Sequence, residues 1–210
     1  MNLSILLDGF TSVEHILAVG RLYDDVRQLF VKAGSWYTPT LSLEAYGNFL
    51  NRYRSQLHYP PDNGTFKDDI PEDNLGLHTH LGIRNWVDDD SKLLYYANSI
   101  QELVMDGGKV VGGSHGNYPG FQLHWDFWAM EAGGLSPMET LRTVTLSAAE
   151  CLGMERDIGS IVEGKLADLV ILDGDPILDI KNTALVKFVM KNGIMYESVT
   201  LRQLWPKKKE

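Results

Sequence analysis

One cysteine, Cys151, stands in the whole of this 210-residue chain, so no internal disulfide can staple the fold. No apolar run approaches the roughly 20 residues that a membrane span needs. Positive charge is scarce too. The chain has 19 Lys and Arg against 28 Asp and Glu, a formal net charge of −9, and its basic block, Lys207-Lys208-Lys209, lies at the very end. That balance argues against nucleic acid or an anionic membrane as the main partner. The start, Met1-Asn2-Leu3-Ser4, lacks the basic region of a signal peptide. A cytoplasmic chain is the default expectation, unless a leader has been lost with upstream sequence. There is no internal repeat, low-complexity segment, phosphate-cradling loop, Ser-His-Asp order or CxxC pair. What remains, 44% hydrophobic and 22% charged, is ordinary for a soluble globular chain and suffices for one large domain or about one and a half small ones.

Local patterns then alternate. Ser4 to Leu7 is a short apolar piece ended by Asp8-Gly9, and Phe10 to Leu17 is rich in β-branched and aromatic residues, as a strand would be. From Arg21 to Ala33 the apolar residues Leu22, Val26, Leu29, Phe30 and Ala33 recur with helical spacing, and Gly34 sits where a C-terminal cap belongs. Ser35 to Leu41 reads as a second strand that Pro39 stops near Thr38. Order breaks down between Glu44 and Ser91, where Pro60-Pro61-Asp62-Asn63-Gly64 and Asp88-Asp89-Asp90 are loop signals; a connection of that length is usually functional or mobile. A helix is expected from about Ser91 to Asp106, a third strand over Lys109–Gly113, and a helix whose apolar face holds Phe121, Trp125, Trp128, Ala129 and Ala132. Ser136-Pro137-Met138-Glu139 has the form of a capping box, opening a helix expected to run to Leu152. After Glu155 the texture turns to β: Leu169–Leu172 is a continuous apolar run, Val186, Phe188 and Met190 alternate with polar residues, and Asn192-Gly193 is a hairpin signal.

Strands alternating with helices imply a parallel α/β sheet with right-handed crossovers. Only three such strands are legible, and three parallel strands leave two open edges. The sequence therefore reads as part of something larger. Its most suggestive stretch is Gly107 to Gly120, in which a short apolar run opens onto a glycine-rich loop carrying His115. Such a loop either delivers a side chain to a site or joins strand to helix with an incidental histidine.

The run Gly159-Ser160-Ile161-Val162-Glu163-Gly164-Lys165-Leu166-Ala167-Asp168-Leu169-Val170-Ile171-Leu172, with Val189-Met190-Lys191-Asn192-Gly193 downstream, closely resembles the C-terminal signature of the amidohydrolase superfamily. It is most similar to the imidazolonepropionase- and prolidase-like branch, and Leu146–Gly153 resembles the helix that precedes the signature there. The resemblance implies the C-terminal part of a (β/α)₈ TIM barrel plus strands of a small β-sandwich domain. Thr11–His15 would be barrel strand six, Trp36–Thr40 strand seven and Lys109–His115 strand eight. Residues 1–155 would form the partial barrel, with an insert at about 44–90, and residues 156–210 part of a composite β-sandwich. The first-strand His-x-His pair and the ligands of strands four and five would lie upstream of Met1.

The resemblance also implies a chemistry, hydrolysis of amide or other carbon–nitrogen bonds of a small molecule by metal-activated water. The cofactor would be a divalent metal, zinc by family habit, held in part by His15 and His115; a chain with an incomplete ligand set could lack it. His15 falls where the family places a metal-binding histidine, and imidazole nitrogen at the carboxyl end of a barrel strand suits Zn²⁺. His115 replaces the aspartate most members carry at the end of strand eight. A histidine can ligate metal or act as base near neutral pH, but it cannot bridge two metals as a carboxylate does. Alternate strands fill the same barrel layer, so His15 and His115 should converge. Leu77-His78-Thr79-His80 resembles the first-strand motif but sits inside the insert after a loop-like stretch, so His78 and His80 read as a lid or substrate-facing loop. Asn117 and Tyr118 would line the pocket. His124 either supports His115 or packs its helix, and Asp168 and Asp173 read as turn formers. The alternative is a non-catalytic half-barrel whose strand edges drive it into homo-oligomers or onto a missing N-terminal half.

Overall fold

Strands β1 (Ser12–Glu14), β2 (Trp36–Thr38) and β3 (Lys109–Val110) lie side by side in that order, all parallel. They belong to a computed structural model that describes residues 3–17, 21–41, 90–114 and 120–207. The insert read at about 44–90 lies outside the described residues apart from its last position. The chain divides into two compact units, Met1–Leu135 and Ser136–Glu210.

In the first unit, register explains the core. Val13 pairs with Tyr37, and Tyr37 with Val110, so the three side chains form one row on one face of the sheet. All three are buried, and Phe30 meets Tyr37 with ring centroids 5.0 Å apart. Phe30 comes from α2 (Asp24–Ala33), which follows a short helix, α1 (Ser4–Leu7), where the sequence showed only an apolar piece. Gly34 closes α2 in the left-handed conformation at φ 65°, which costs a glycine nothing. Helix α3 (Asp90–Met105) is tied to α2 by charge. Arg27 donates through Nε to Asp106 at 2.6 Å, and through Nη1 to Glu102 and to the Leu22 carbonyl, each at 2.8 Å. Arg21 also pairs with Glu102. The hydrogen bond donated to Asp106, reinforced by the surrounding carboxylates, holds the Arg27 guanidinium above its ordinary range.

Helix α4 (Phe121–Ala132) follows β3 and differs from the one-faced helix expected. Phe127 and Met130 are buried along with Trp125, Trp128 and Ala129, and so are Gln122 and Asp126, whereas Ala132 is exposed. The helix is enclosed on more than one side, so a single stripe underestimates its burial. At its end Gly133 lies against α3: a Cβ there would stand 2.4 Å from the Ala97 Cβ and 2.5 Å from its carbonyl carbon.

The second unit opens with the capping box. Ser136 Oγ accepts from the Glu139 N–H at 3.2 Å, and the Glu139 carboxylate accepts from the Ser136 N–H at 2.9 Å. Ser136→Ala is expected to cost about 1 kcal/mol in urea unfolding, with Ser136→Thr largely retaining the stability. The helix expected to reach Leu152 is in fact two, α5 (Pro137–Thr143) and α6 (Leu146–Cys151). Thr145 breaks it with φ −117° and ψ −94°. Two causes are visible. Thr143 and Thr145 turn their hydroxyls back onto the carbonyls of Thr140 and Leu141, which competes with regular helix. The chain also returns over the break at Gly159, where a Cβ would lie 2.5 Å from Ala149 Cβ and 2.9 Å from the Thr145 carbonyl oxygen.

An antiparallel meander of β4 (Leu169–Leu172), β5 (Val186–Lys191), β6 (Ile194–Glu197) and β7 (Gln203–Trp205) completes this unit. Asn192 and Gly193, both at positive φ, make the tight turn between β5 and β6. Lys165 organises the loop before β4: its ammonium donates to the Glu155 carbonyl, to the Ile158 carbonyl at 3.2 Å and to Ser160 Oγ at 2.7 Å.

Candidate site at the carboxyl ends of the parallel strands

Because β1, β2 and β3 run in the same direction, their carboxyl ends share one edge of the sheet. In α/β proteins that edge is where ligands are met. His15 follows directly on β1. Its N–H donates to the Thr38 carbonyl at 2.8 Å, which extends the pairing with β2 by one step. If the strand simply continued, alternation would send His15 to the same face as Val13. It does not continue: His15 has φ 69°, in the left-handed region. The ring instead meets β2's continuation, with Nδ1 at 3.1 Å from the Thr40 hydroxyl.

Thr40 is also left-handed, at φ 46°, and is buried. Pro39 separates it from the end of β2, so β2 stops and the next residue stands at the mouth of the sheet. The continuation of β3 closes the other side. Val111 N–H donates to the Tyr37 carbonyl at 3.0 Å, and Gly113 approaches Thr38 so nearly that a Cβ would lie 2.6 Å from its methyl group. The three strand ends therefore crowd together around Thr38.

His124, in the first turns of α4, has its ring edge-on to Phe127 at 5.7 Å. Burial pushes its pKa down to about 4, so near pH 7 this imidazole is neutral. The sequence offered it as support for His115 or as helix packing; the contact with Phe127 is a packing contact, and His115 lies outside the described residues.

His115, Asn117 and Tyr118, and also His78 and His80, lie outside the described residues. Of the residues singled out for chemistry, His15 is the one whose surroundings are described. Asp168 and Asp173, read as turn formers, flank β4 and are engaged in local contacts within the antiparallel sheet. Asp168 accepts from the Asn192 N–H at 2.6 Å and pairs with Lys191, which holds its carboxyl below the usual range; Asp173 pairs with Lys187 at 2.8 Å. Thr40 was missed. The available signal was its place just after the strand-ending proline, which puts a polar side chain at the strand mouth.

Among the described residues, no three histidine, cysteine, aspartate or glutamate side chains group as ligands for a metal ion. The donor chemistry of His15 suits one such ligand. It is a partly buried imidazole at a strand end, hydrogen-bonded at Nδ1, the arrangement that orients Nε2 in protein metal sites. Also among the described residues, no helix is long and apolar enough to cross a membrane.

Comparison with known proteins gives the following. The model of the Amidohydrolase family matches residues 11–195. An adenine deaminase of Clostridium botulinum (strain 657 / Type Ba4) is 32% identical over 179 residues, 80% of this chain and 29% of the relative. The imidazolonepropionase of Symbiobacterium thermophilum is 54% identical over 39 residues, 19% of this chain and 9% of the relative. Among solved structures, a Xaa-Pro dipeptidase with bound methionine in its active site superposes with a TM-score of 0.63 at 23% identity, covering 92% of this chain and 41% of that one. The chain thus spans well under half the length of the proteins it matches.

Proposed function

This chain belongs to the amidohydrolase family, and from that premise we propose that it carries strands six, seven and eight of a (β/α)₈ barrel that hydrolyses amide or other carbon–nitrogen bonds of a small molecule. The observation that carries the reading is His15: a non-glycine residue in the left-handed region at the carboxyl end of a parallel strand, with its ring tied to Thr40. Left-handed non-glycine residues gather at functional sites because the surroundings hold them there. In this reading β1, β2 and β3 are the last barrel strands, and the antiparallel meander is part of a composite β-sandwich from residue 156 onward.

His15 and His115 would hold a divalent metal, zinc by family habit. Bound there, a metal supplies Lewis acidity towards a carbonyl and activates water. The chain's own residues have separable tasks. His15 presents a ring whose orientation is fixed by the strand end. His115, which follows β3 in the sequence, is of a type that can take up and release a proton near neutral pH. Asn117, Tyr118, His78 and His80 would face the substrate. The names of the relatives suggest adenine and Xaa-Pro dipeptides to try first, and the family reading adds N-acyl amino acids and cyclic amides.

The test is a Zn²⁺ titration of the chain by calorimetry, followed by hydrolysis assays on that panel. Stoichiometric binding is expected, with His15→Ala lowering affinity at least about 100-fold, the upper end of what losing a mere supporting partner does. A chain that takes up no Zn²⁺ and cleaves none of the panel would leave only the structural half-barrel.

A further inference from the structure

We propose that Thr40 is a positioning residue: its hydroxyl accepts from Nδ1–H of His15 and so fixes the tautomer in which Nε2 carries the electron pair that acts at the site. The proposal rests on the reading of His15 as a site residue. It concerns a partner of that residue drawn from the segment that follows β2, 25 positions away.

Three observations carry it. The first is the contact, 3.1 Å between Nδ1 and Oγ1, made by a threonine only 4% exposed. The hydroxyl is held in place by that burial, and the half-buried His15 ring meets it at Nδ1. The second is backbone conformation. Thr40 lies at φ 46°, and a β-branched residue there is a genuine outlier, where glycine would sit without strain. A threonine in that position trades backbone ease for a side chain, and the side chain's hydroxyl is spent on His15. The third is the double tie between the two segments: the His15 N–H donates to the Thr38 carbonyl at 2.8 Å, so both backbone and ring of His15 are referenced to the end of β2.

A threonine hydroxyl can accept from Nδ1–H or donate to a bare Nδ1. The first arrangement leaves the electron pair on Nε2, as a ligating or proton-accepting imidazole requires. The second would put the proton there and block that role. An isolated imidazole side chain in water favours the Nε2–H form, so the protein has to supply the preference for Nδ1–H.

Long-range nitrogen–proton correlation spectra of the imidazole rings in the whole chain read this directly. They are recorded at about pH 8.5, so that neutral imidazole is observed, with the His15 signals assigned from a His15→Gln sample. The wild type and Thr40→Ser should show Nδ1–H as the dominant form of His15. Thr40→Val keeps the shape and the backbone strain but loses the hydroxyl; Thr40→Gly loses the hydroxyl and relieves the strain. Both should shift His15 to mainly Nε2–H, while the urea midpoint of Thr40→Gly stays level with the wild type or rises. That split separates positioning from simple structural support, and it survives if Thr40→Val folds poorly. A wild type that shows mainly Nε2–H, or a Thr40→Gly protein that keeps the wild-type tautomer, would overturn the proposal. Zn²⁺ titration of the same samples reports on the hydrolase reading separately, because the tautomer is measured without metal.

Discussion

Between about pH 6.5 and about pH 4 the chain should lose about 3 kcal/mol of stability through one side chain, His124. Burial holds its folded pKa at about 4, against an ordinary 6.5 when unfolded. Above 6.5 the ring is neutral in both states and contributes no pH dependence. As the pH falls through that value the unfolded chain takes up a proton that the folded chain refuses, so the balance tips towards unfolding by roughly 1.4 kcal/mol per pH unit. Below about 4 both states carry the proton and the deficit becomes constant. Urea unfolding at half-unit pH steps should show the slope in the wild type. His124→Phe, which keeps an aromatic edge for Phe127, should flatten it. Asp168 does not confuse the window: its carboxyl is held below 3.8 by Lys191 and the Asn192 N–H, so its contribution is lost only at lower pH. Equal slopes in wild type and His124→Phe would mean that burial of this ring is not what the acid limb reports.

Gly133→Val should cost about 3 kcal/mol, at the upper end for overpacking, because the new atoms have nowhere to go. The nearest neighbours of a Cβ at this position are the Ala97 Cβ at 2.4 Å, its carbonyl carbon at 2.5 Å and its oxygen at 2.7 Å. Two of those three are backbone of α3 and cannot rotate aside. Conformation is not the issue, since Gly133 has an ordinary helical φ of −79°. The effect is therefore steric, and α3 and α4 must move apart at a point where Ala97, Trp125 and Trp128 are buried. A companion Ala97→Gly substitution should recover part of the loss, by removing the Cβ contact, but not the part due to backbone. Urea midpoints of the single and double variants measure both terms. Full recovery by Ala97→Gly would show that the α3 backbone gives way more easily than these distances imply.

The features legible in the sequence are those decided by neighbours in the chain. Gly34 could be read as a left-handed cap because a helix end and a glycine are adjacent. Ser136 with Glu139, and Asn192 with Gly193, likewise complete their motifs within a few residues. The parallel order of β1, β2 and β3 followed from strands alternating with helices. The misreadings have a common cause in distant contacts. The break at Thr145 depends on Gly159 folding back over it, so the helix over 137–152 looked continuous. Helix α4 showed one apolar stripe, but neighbours remote in sequence enclose more of it. Strand β7, three residues long, exists by pairing with β6 and has no periodicity of its own. The site follows the same division. His15 stood out through its position in a recognisable pattern; Thr40 did not, because its partner lies at the end of the neighbouring strand, 25 residues away, and the preceding proline drew attention only as a strand stop.

Lys165 carries a consequence for how this chain's kinship is to be understood. An ammonium enclosed by two carbonyls and a hydroxyl serves as an internal cation, gathering the Glu155–Ser160 loop as a bound potassium or sodium ion might gather one elsewhere. Lys165 and Gly159 of the Gly159–Leu172 run thus serve to close a loop beside a sheet. On the proposed reading, discrimination between substrates would fall to the strand mouths, where His15 and Thr40 meet.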